Sequence, residues 1–353
     1  MRWLALVLST IVGSGLAADH VDYAAVSPDN PVVLPRDHGA HPAYKTEWWY
    51  LTGWLDTKGG PVGFQVTFFR TRLPFDDGNP SRFAARQLIL AHVALADPVV
   101  GHLEHGQRVA REGFGLVGAS TADTDVVLDD WHLERDKDGS FTTKARSDGF
   151  DLDLTFVPTQ PPLLQGDKGY SRKGPGEGDA SAYFSLPHLV VKGRLTRGSR
   201  TEQVRGTAWL DREWSSSFLD ARAVGWDWAG LNMDDGSAVT VFRVRDSQGR
   251  PVWAGGSMRA ADGSLTILGP HDVRFDARRI WRSPRTGAGY PVETTVSVAT
   301  AAGIRRFVLQ PLFDDQELDS RPTGGPLYWE GAVRVDGGRG YLELVGYGGK
   351  LRL

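Results

Sequence analysis

Apolar residues recur at every second position in many short runs of this chain, with turn-forming residues between the runs. In 62–70, Val62, Phe64, Val66 and Phe68 alternate with Gly63, Gln65 and Thr67, the two-residue period of a strand with one buried face. The preceding run, 47–55, reaches it through Asp56-Thr-Lys-Gly-Gly60, so the two read as strand, turn, strand. The denser run 88–96 has a helix-compatible composition, but nine residues between loop signals favour a buried strand. Further strands are expected at 126–134, 141–146 and 150–158, the last two joined by the tight-turn sequence Ser147-Asp148-Gly149. After these come 182–186, 190–196 and 204–209, and then 238–245, 251–258, 266–268, 292–299, 305–311, 327–335 and 340–347. The best helical candidate is short, 312–320. Many short strands with almost no amphipathic helix make an all-β protein, a sandwich or a barrel.

Two interruptions carry information. Residues 158–178 hold four prolines and five glycines, and a loop this long inside a compact domain is usually functional or disordered. The stretch 208–236 packs four of the twelve tryptophans beside three closely spaced charges and joins two series of strands. Trp49, Gly53 and Gly59 show the same spacing as Trp226, Gly230 and Gly236, a hint of duplication. The chain therefore divides into a leader (1–17), an extended N-terminal arm (18–46), a first β unit (47–215) and a second (216–353).

The leader, a single Arg2 followed by an apolar run and small residues, fits a secretory signal peptide with Gly15 and Ala17 at the cleavage positions. Its apolar run is shorter than the ~20 residues needed to span a bilayer. A secreted or periplasmic protein is expected. The net charge of −3, with both signs scattered, offers no nucleic-acid footprint. The absence of cysteine excludes disulfides, thiolate nucleophiles and Cys-ligated zinc.

The candidate chemistry lies in Trp209-Leu-Asp-Arg-Glu-Trp214. On a strand, Trp209, Asp211 and Glu213 share one face, and Leu210, Arg212 and Trp214 the other. In an apolar cavity, desolvation and mutual repulsion would raise the pKa of one carboxyl and leave a neutral acid able to protonate a substrate. The competing reading is an ion pair with an arginine that ties the two units together. Candidate ligand contacts are Trp49, Tyr50, Tyr183, Trp209, Trp226 and Trp228, whose rings can line an apolar site and face a developing cation. His92 reads either as a satisfied core histidine or as a polar contact of that site. His102-Leu-Glu-His105 lacks the zinc-helix spacing and reads as a surface loop pair. Nucleophile-elbow, phosphate-loop and dinucleotide signatures are absent from the sequence, and neither cofactor nor metal is expected.

These blocks resemble the AttH-like proteins, a secreted lipocalin-like family that also includes the carotenoid 1,2-hydratases. The resemblance is carried by Glu47-Trp-Trp-Tyr50, Phe68-Phe-Arg70, Ala91-His92, Gly169-Tyr-Ser-Arg-Lys-Gly174, Trp209 to Ser215, Gly225-Trp-Asp-Trp228, Gln316-Glu317, Tyr328-Trp-Glu-Gly331 and Gly340 to Tyr347. It implies two lipocalin-like antiparallel β-barrel domains packed side by side. It also implies cofactor-free chemistry on large apolar molecules, with Asp211 at the position of the hydratases' proton donor and Glu213 beside it. Where the hydratases carry a tyrosine two residues earlier, this chain has Trp209.

Two functions follow as expectations. One is a hydro-lyase adding water to an apolar isoprenoid or lipid. The other, prompted by Trp209, is a carrier or sensor of a lipophilic ligand in which Asp211 and Glu213 are structural. A membrane exporter is a candidate partner through the family resemblance alone.

Overall fold

The computed structural model describes residues 21–74, 80–81, 83–217 and 219–349; the leader lies outside the described residues. Strands make up nearly all of the regular structure, with two single 3-10 turns at Arg36–His38 and Arg321–Thr323. The strands form two antiparallel sheets, one running from Thr46 to Ser215 and the other from Gly225 to Val345. In the first, the edge strand Leu103–Arg111 comes back against the short strands Val117–Ala119 and Asp125–Leu128, which rolls the sheet into a barrel. Its interior is filled by side chains such as Trp49, Phe64, Phe68, Phe156 and Leu210. The second unit is filled in the same way around Trp329, Tyr290 and Phe307.

Duplication is written into the topology. In each unit the first strand lies between the second strand and the last one: Thr46–Thr57 between Gly60–Arg72 and Arg200–Ser215, and Gly225–Met233 between Ala238–Arg245 and Gly338–Val345. The equivalence is best seen in the register. Glu47 stands directly opposite Arg70 and pairs with it, and Asp227 stands directly opposite Arg243, with Arg243 Nε 2.6 Å from Asp227 Oδ2. The tryptophan–glycine spacing in the sequence aligns the units three residues away from this register. An odd offset exchanges the faces of a strand, so Trp49 packs in the first barrel core while Trp226 faces the junction between units.

Several elements differ from the sequence expectation. Residues 312–320 form no helix. Instead Glu317–Asp319 pairs with Leu327–Val335, and Leu318 and Phe313 pack near Ala94 and Ala96 of the first unit. Nine residues are too few to hold a helix against such packing. Of the pair His102 and His105, the first lies in an exposed bend as expected, whereas His105 belongs to Leu103–Arg111, an edge strand anchored by Leu103 N–H donating to Asp315 O at 2.8 Å. Its polar composition, suited to an edge, hid it. The run 126–134 is two strands broken at Asp129, whose φ is 57°. Conversely, 182–186 and 190–196 are one strand, Ala180–Arg197, with a bulge between Leu186 and Leu189. The bulge accommodates Pro187, which has no N–H to give the ladder.

Candidate active site between the two units

Alternation along Arg200–Ser215 sets two different environments on its two faces. Leu210, Arg212 and Trp214 point into the first barrel, whereas Trp209, Asp211 and Glu213 point outward to the junction. There the outer faces of Thr46–Thr57, Gly60–Arg72 and Gln87–Ala96 meet those of Gly225–Met233, Ala238–Arg245 and Gly338–Val345 across a cavity of about 380 Å³. This is the size of a small ligand site. Its wall is mainly apolar, with Trp48, Phe69, Leu90, Trp226, Trp228 and Phe242 among the lining residues, and it includes the exposed Gly324 at its rim. The site thus lies between the units and not inside either barrel. Gly230 makes room for the tryptophans: a Cβ there would come within 2.5 Å of the Trp228 ring and 3.2 Å of Trp209.

Asp211 is 3% exposed. Its Oδ1 accepts from Trp209 Nε1 at 2.7 Å and from Ser185 Oγ, and its Oδ2 accepts from Tyr183 OH at 2.7 Å. The donors are themselves supported: Gln165 Nε2 donates to Ser185 Oγ at 2.9 Å and Trp228 Nε1 donates to Tyr183 OH at 3.0 Å. No cation pairs with Asp211 among the described residues. Burial pushes its carboxyl up to about 7; the bonds from Ser185, Tyr183 and Trp209 act against that rise, and the nearby Glu213 adds to it.

Three more carboxyls converge here. Glu213 is held by Ser181 Oγ and by Lys173 Nζ at 3.1 Å, and Lys173 Nζ also lies 4.1 Å from the Phe242 ring centroid. Glu343, on the last strand of the second unit, accepts from Trp226 Nε1 at 2.7 Å, and burial pushes it up to about 7 against that bond. Glu330 accepts from Tyr50 OH at 2.5 Å and is raised well above its ordinary range, first by burial and then by Glu343. Also in the lining, His92 Nδ1 lies 2.9 Å from Tyr328 OH, and burial holds its ring neutral, its pKa down at about 3.

The opposite face of the strand carries the arginine chemistry that competed for Asp211. Glu47 accepts from Arg70 Nε, from Arg212 Nη2 at 3.1 Å and from the backbone N–H of His41 at 2.9 Å. Burial alone would raise its pKa, but the contact with His41 and the charges of Arg212 and Arg70 outweigh it and hold Glu47 at about 2. The arginine of the motif therefore ties strands within the first unit rather than the two units together.

Of the sequence candidates, Tyr50, His92, Asp211, Glu213, Trp226 and Trp228 line the cavity. Trp209 and Tyr183 stand behind it as donors to Asp211. Trp49 is elsewhere, in the barrel core with the Arg212 guanidinium 4.0 Å from its ring centroid, because its parity on Thr46–Thr57 is opposite to that of Tyr50. Sequence reading missed Lys173, Glu330, Glu343 and Gln65. A signal existed for the two glutamates, since each interrupts the apolar alternation of a strand inside a family-like block. Lys173 also lies in a family-like block, 169–174, but within a loop, where no alternation shows which way it faces. That loop is built into the junction: Leu163 packs there, and Gln165 Nε2 donates to Thr240 Oγ1 at 2.9 Å.

Comparison with known proteins agrees with this architecture. A crystal structure of an AttH protein from Nitrosomonas europaea shares 48% identity, covering 93% of this chain and 100% of that one, with a TM-score of 0.85. Kievitone hydratase from Nectria haematococca shares 15% identity over 92% of this chain and 96% of that one, with a TM-score of 0.67, and so shares the fold. CghA in complex with Sch210972 has 14% identity, covers 93% and 97%, and reaches a TM-score of 0.50. No curated protein matches the sequence. The AttH-like profile matches residues 25–347, and the chain belongs to the AttH-like family.

Proposed function

We propose that this protein is a secreted or periplasmic, cofactor-independent enzyme that adds water to an apolar isoprenoid or lipid by acid catalysis, with Asp211 as the proton donor. The observation that carries this reading is a buried carboxyl with no cation partner, pushed up to about 7, in the wall of an apolar cavity. Such a group holds its proton near neutral pH and can give it to a weak base. Transfer from Asp211 to the less substituted carbon of a terminal alkene forms a C–H bond and leaves a tertiary cation. Rings of Trp228 and Tyr50, packed edge to face at 5.4 Å between centroids, offer π surface to that charge. Water then closes the C–O bond and loses a proton, giving the alcohol. The shared fold of a protein named as a hydratase supports the reading.

The test is incubation of the purified protein with geranylgeraniol, squalene and oleic acid in ¹⁸O-labelled water, with tryptophan quenching followed in the same samples. Label gained with wild type and not with a folded Asp211→Asn variant is the expected result. A second reading rests on the three donors that occupy both Asp211 oxygens, an arrangement suited to a structural carboxyl in a lipid carrier. Quenching without mass change would select it.

A further inference from the structure

The three carboxyls that line the cavity are not equally open to it. Asp211 has both oxygens occupied by donors and is 3% exposed. Glu213 is 5% exposed and tied to Ser181 and Lys173. Glu343 differs. Trp226 Nε1 occupies its Oε2, and its Oε1 has no hydrogen-bond partner among the described residues. That oxygen is not sealed in protein either, and the residue is half-buried, with the cavity as the space it lines. Strand alternation explains the placement: Tyr341, Glu343 and Val345 share the junction face, while Leu342 and Leu344 enter the second core. The groups facing Glu343 across the junction are Asp211, the Glu213–Lys173 pair and Tyr50, while Glu330 stands directly opposite it on the neighbouring strand of its own unit.

We propose that Glu343 is the carboxyl most open to the bound ligand and serves as the second proton-transfer group of the site, so that the two units complete one reaction centre between them. This rests on the hydration reading above. Asp211 gives its proton to the alkene carbon and becomes a carboxylate. The oxygen of a water bonds to the cation, and the O–H bond that breaks sends its proton to the Glu343 carboxylate. The product leaves as a tertiary alcohol, and a cavity water returns the proton from Glu343 to Asp211. One alkene and one water are consumed, and both carboxyls end as they began. The cycle needs one protonated and one ionised member. Two carboxyls that both titrate near neutral pH and repel one another's charge supply that state.

Two measurements test this. Dicyclohexylcarbodiimide, an apolar reagent that condenses with protonated carboxyls, needs no knowledge of the substrate. At pH 6.5, peptide mapping is expected to find the N-acylurea chiefly on Glu343, the carboxyl with an open oxygen, and to lose that adduct in Glu343→Gln. Adduct on Asp211 with Glu343 untouched, or no adduct at either, overturns the assignment. In the labelled-water assay, Glu343→Gln, which keeps an acceptor for Trp226, is expected to lower kcat about 100-fold or more while retaining the wild-type unfolding midpoint and ligand quenching. Glu343→Asp is expected to recover part of the rate. Product from wild type and undiminished product from Glu343→Gln sinks the role of Glu343 alone. No product from wild type sinks the hydration reading together with the proton-transfer step built on it.

Discussion

Glu47 and Asp211 are both buried carboxyls on the same pair of hydrogen-bonded strands, yet they are driven in opposite directions. Glu47 faces the barrel core, where Arg70 and Arg212 surround it, and is held at about 2. Asp211 faces the junction, where its partners are neutral donors, and is pushed up to about 7. The difference shows that burial by itself does not set the charge of a carboxyl; what decides is whether the compensation comes from cations or from dipoles. One face of the strand therefore stores an ionic tie, and the other stores a transferable proton.

The largest expected effect comes from breaking the ionic side. Glu47→Gln leaves two buried guanidinium groups short of their counter-ion and should cost about 3–5 kcal/mol, read as a lowered urea midpoint. Asp227→Asn should act in the same way through Arg243 and Arg245 of the second unit. If either variant proves no less stable than Asp211→Asn, the comparison fails.

Next in size is the pH dependence of stability. Between about pH 4 and 7 the folded chain keeps the Asp211 proton that the unfolded chain has lost, so stability falls as pH rises. A displacement from 3.8 to about 7 corresponds to a term on the order of 4 kcal/mol. Asp211→Asn should remove that slope and gain on wild type at pH 8 relative to pH 4.5. For Glu47 the sign reverses, because its folded pKa is depressed: its contribution is complete above about 4.5 and is lost as pH falls toward about 2. Urea unfolding at four pH values separates the two, and an unchanged slope in Asp211→Asn would contradict the assignment.

A smaller change is expected from Tyr50→Phe, which removes the donor to Glu330 Oε1 while its Oε2 already lacks a partner among the described residues. The loss should be about 1–3 kcal/mol, read as a lowered urea midpoint. The smallest effect is electrostatic. Trp209→Phe deletes a donor to a charged group worth about 1.5 kcal/mol, which should move the Asp211 midpoint up by roughly one pH unit. Carboxyl infrared absorbance would follow it.

Alternation made much of this site legible in advance. It put Trp209, Asp211 and Glu213 on one face and Arg212 on the other, and the strand assignments around them follow the same period. Trp49 and Tyr50 both read as ligand contacts in the sequence, but neighbours on a strand face opposite ways, and it is Tyr50 that lines the cavity while Trp49 enters the first core. Lys173 and Glu343 stayed hidden for another reason. They lie 38 residues before and 132 residues after Asp211 in the chain, and nothing local marks them as its neighbours.

What the sequence determined by itself is therefore local and periodic: strands, their buried faces, and which charges share a face. These follow from steric rules acting over a few residues. What only the tertiary structure decided is where the faces go. The packing of two filled barrels against each other places the ligand-sized space between them, gives the cations to Glu47 and withholds them from Asp211, and leaves an oxygen of Glu343 turned to the cavity. Desolvation and Coulomb energies depend on distances across the junction, and those distances exist only once both units have folded together.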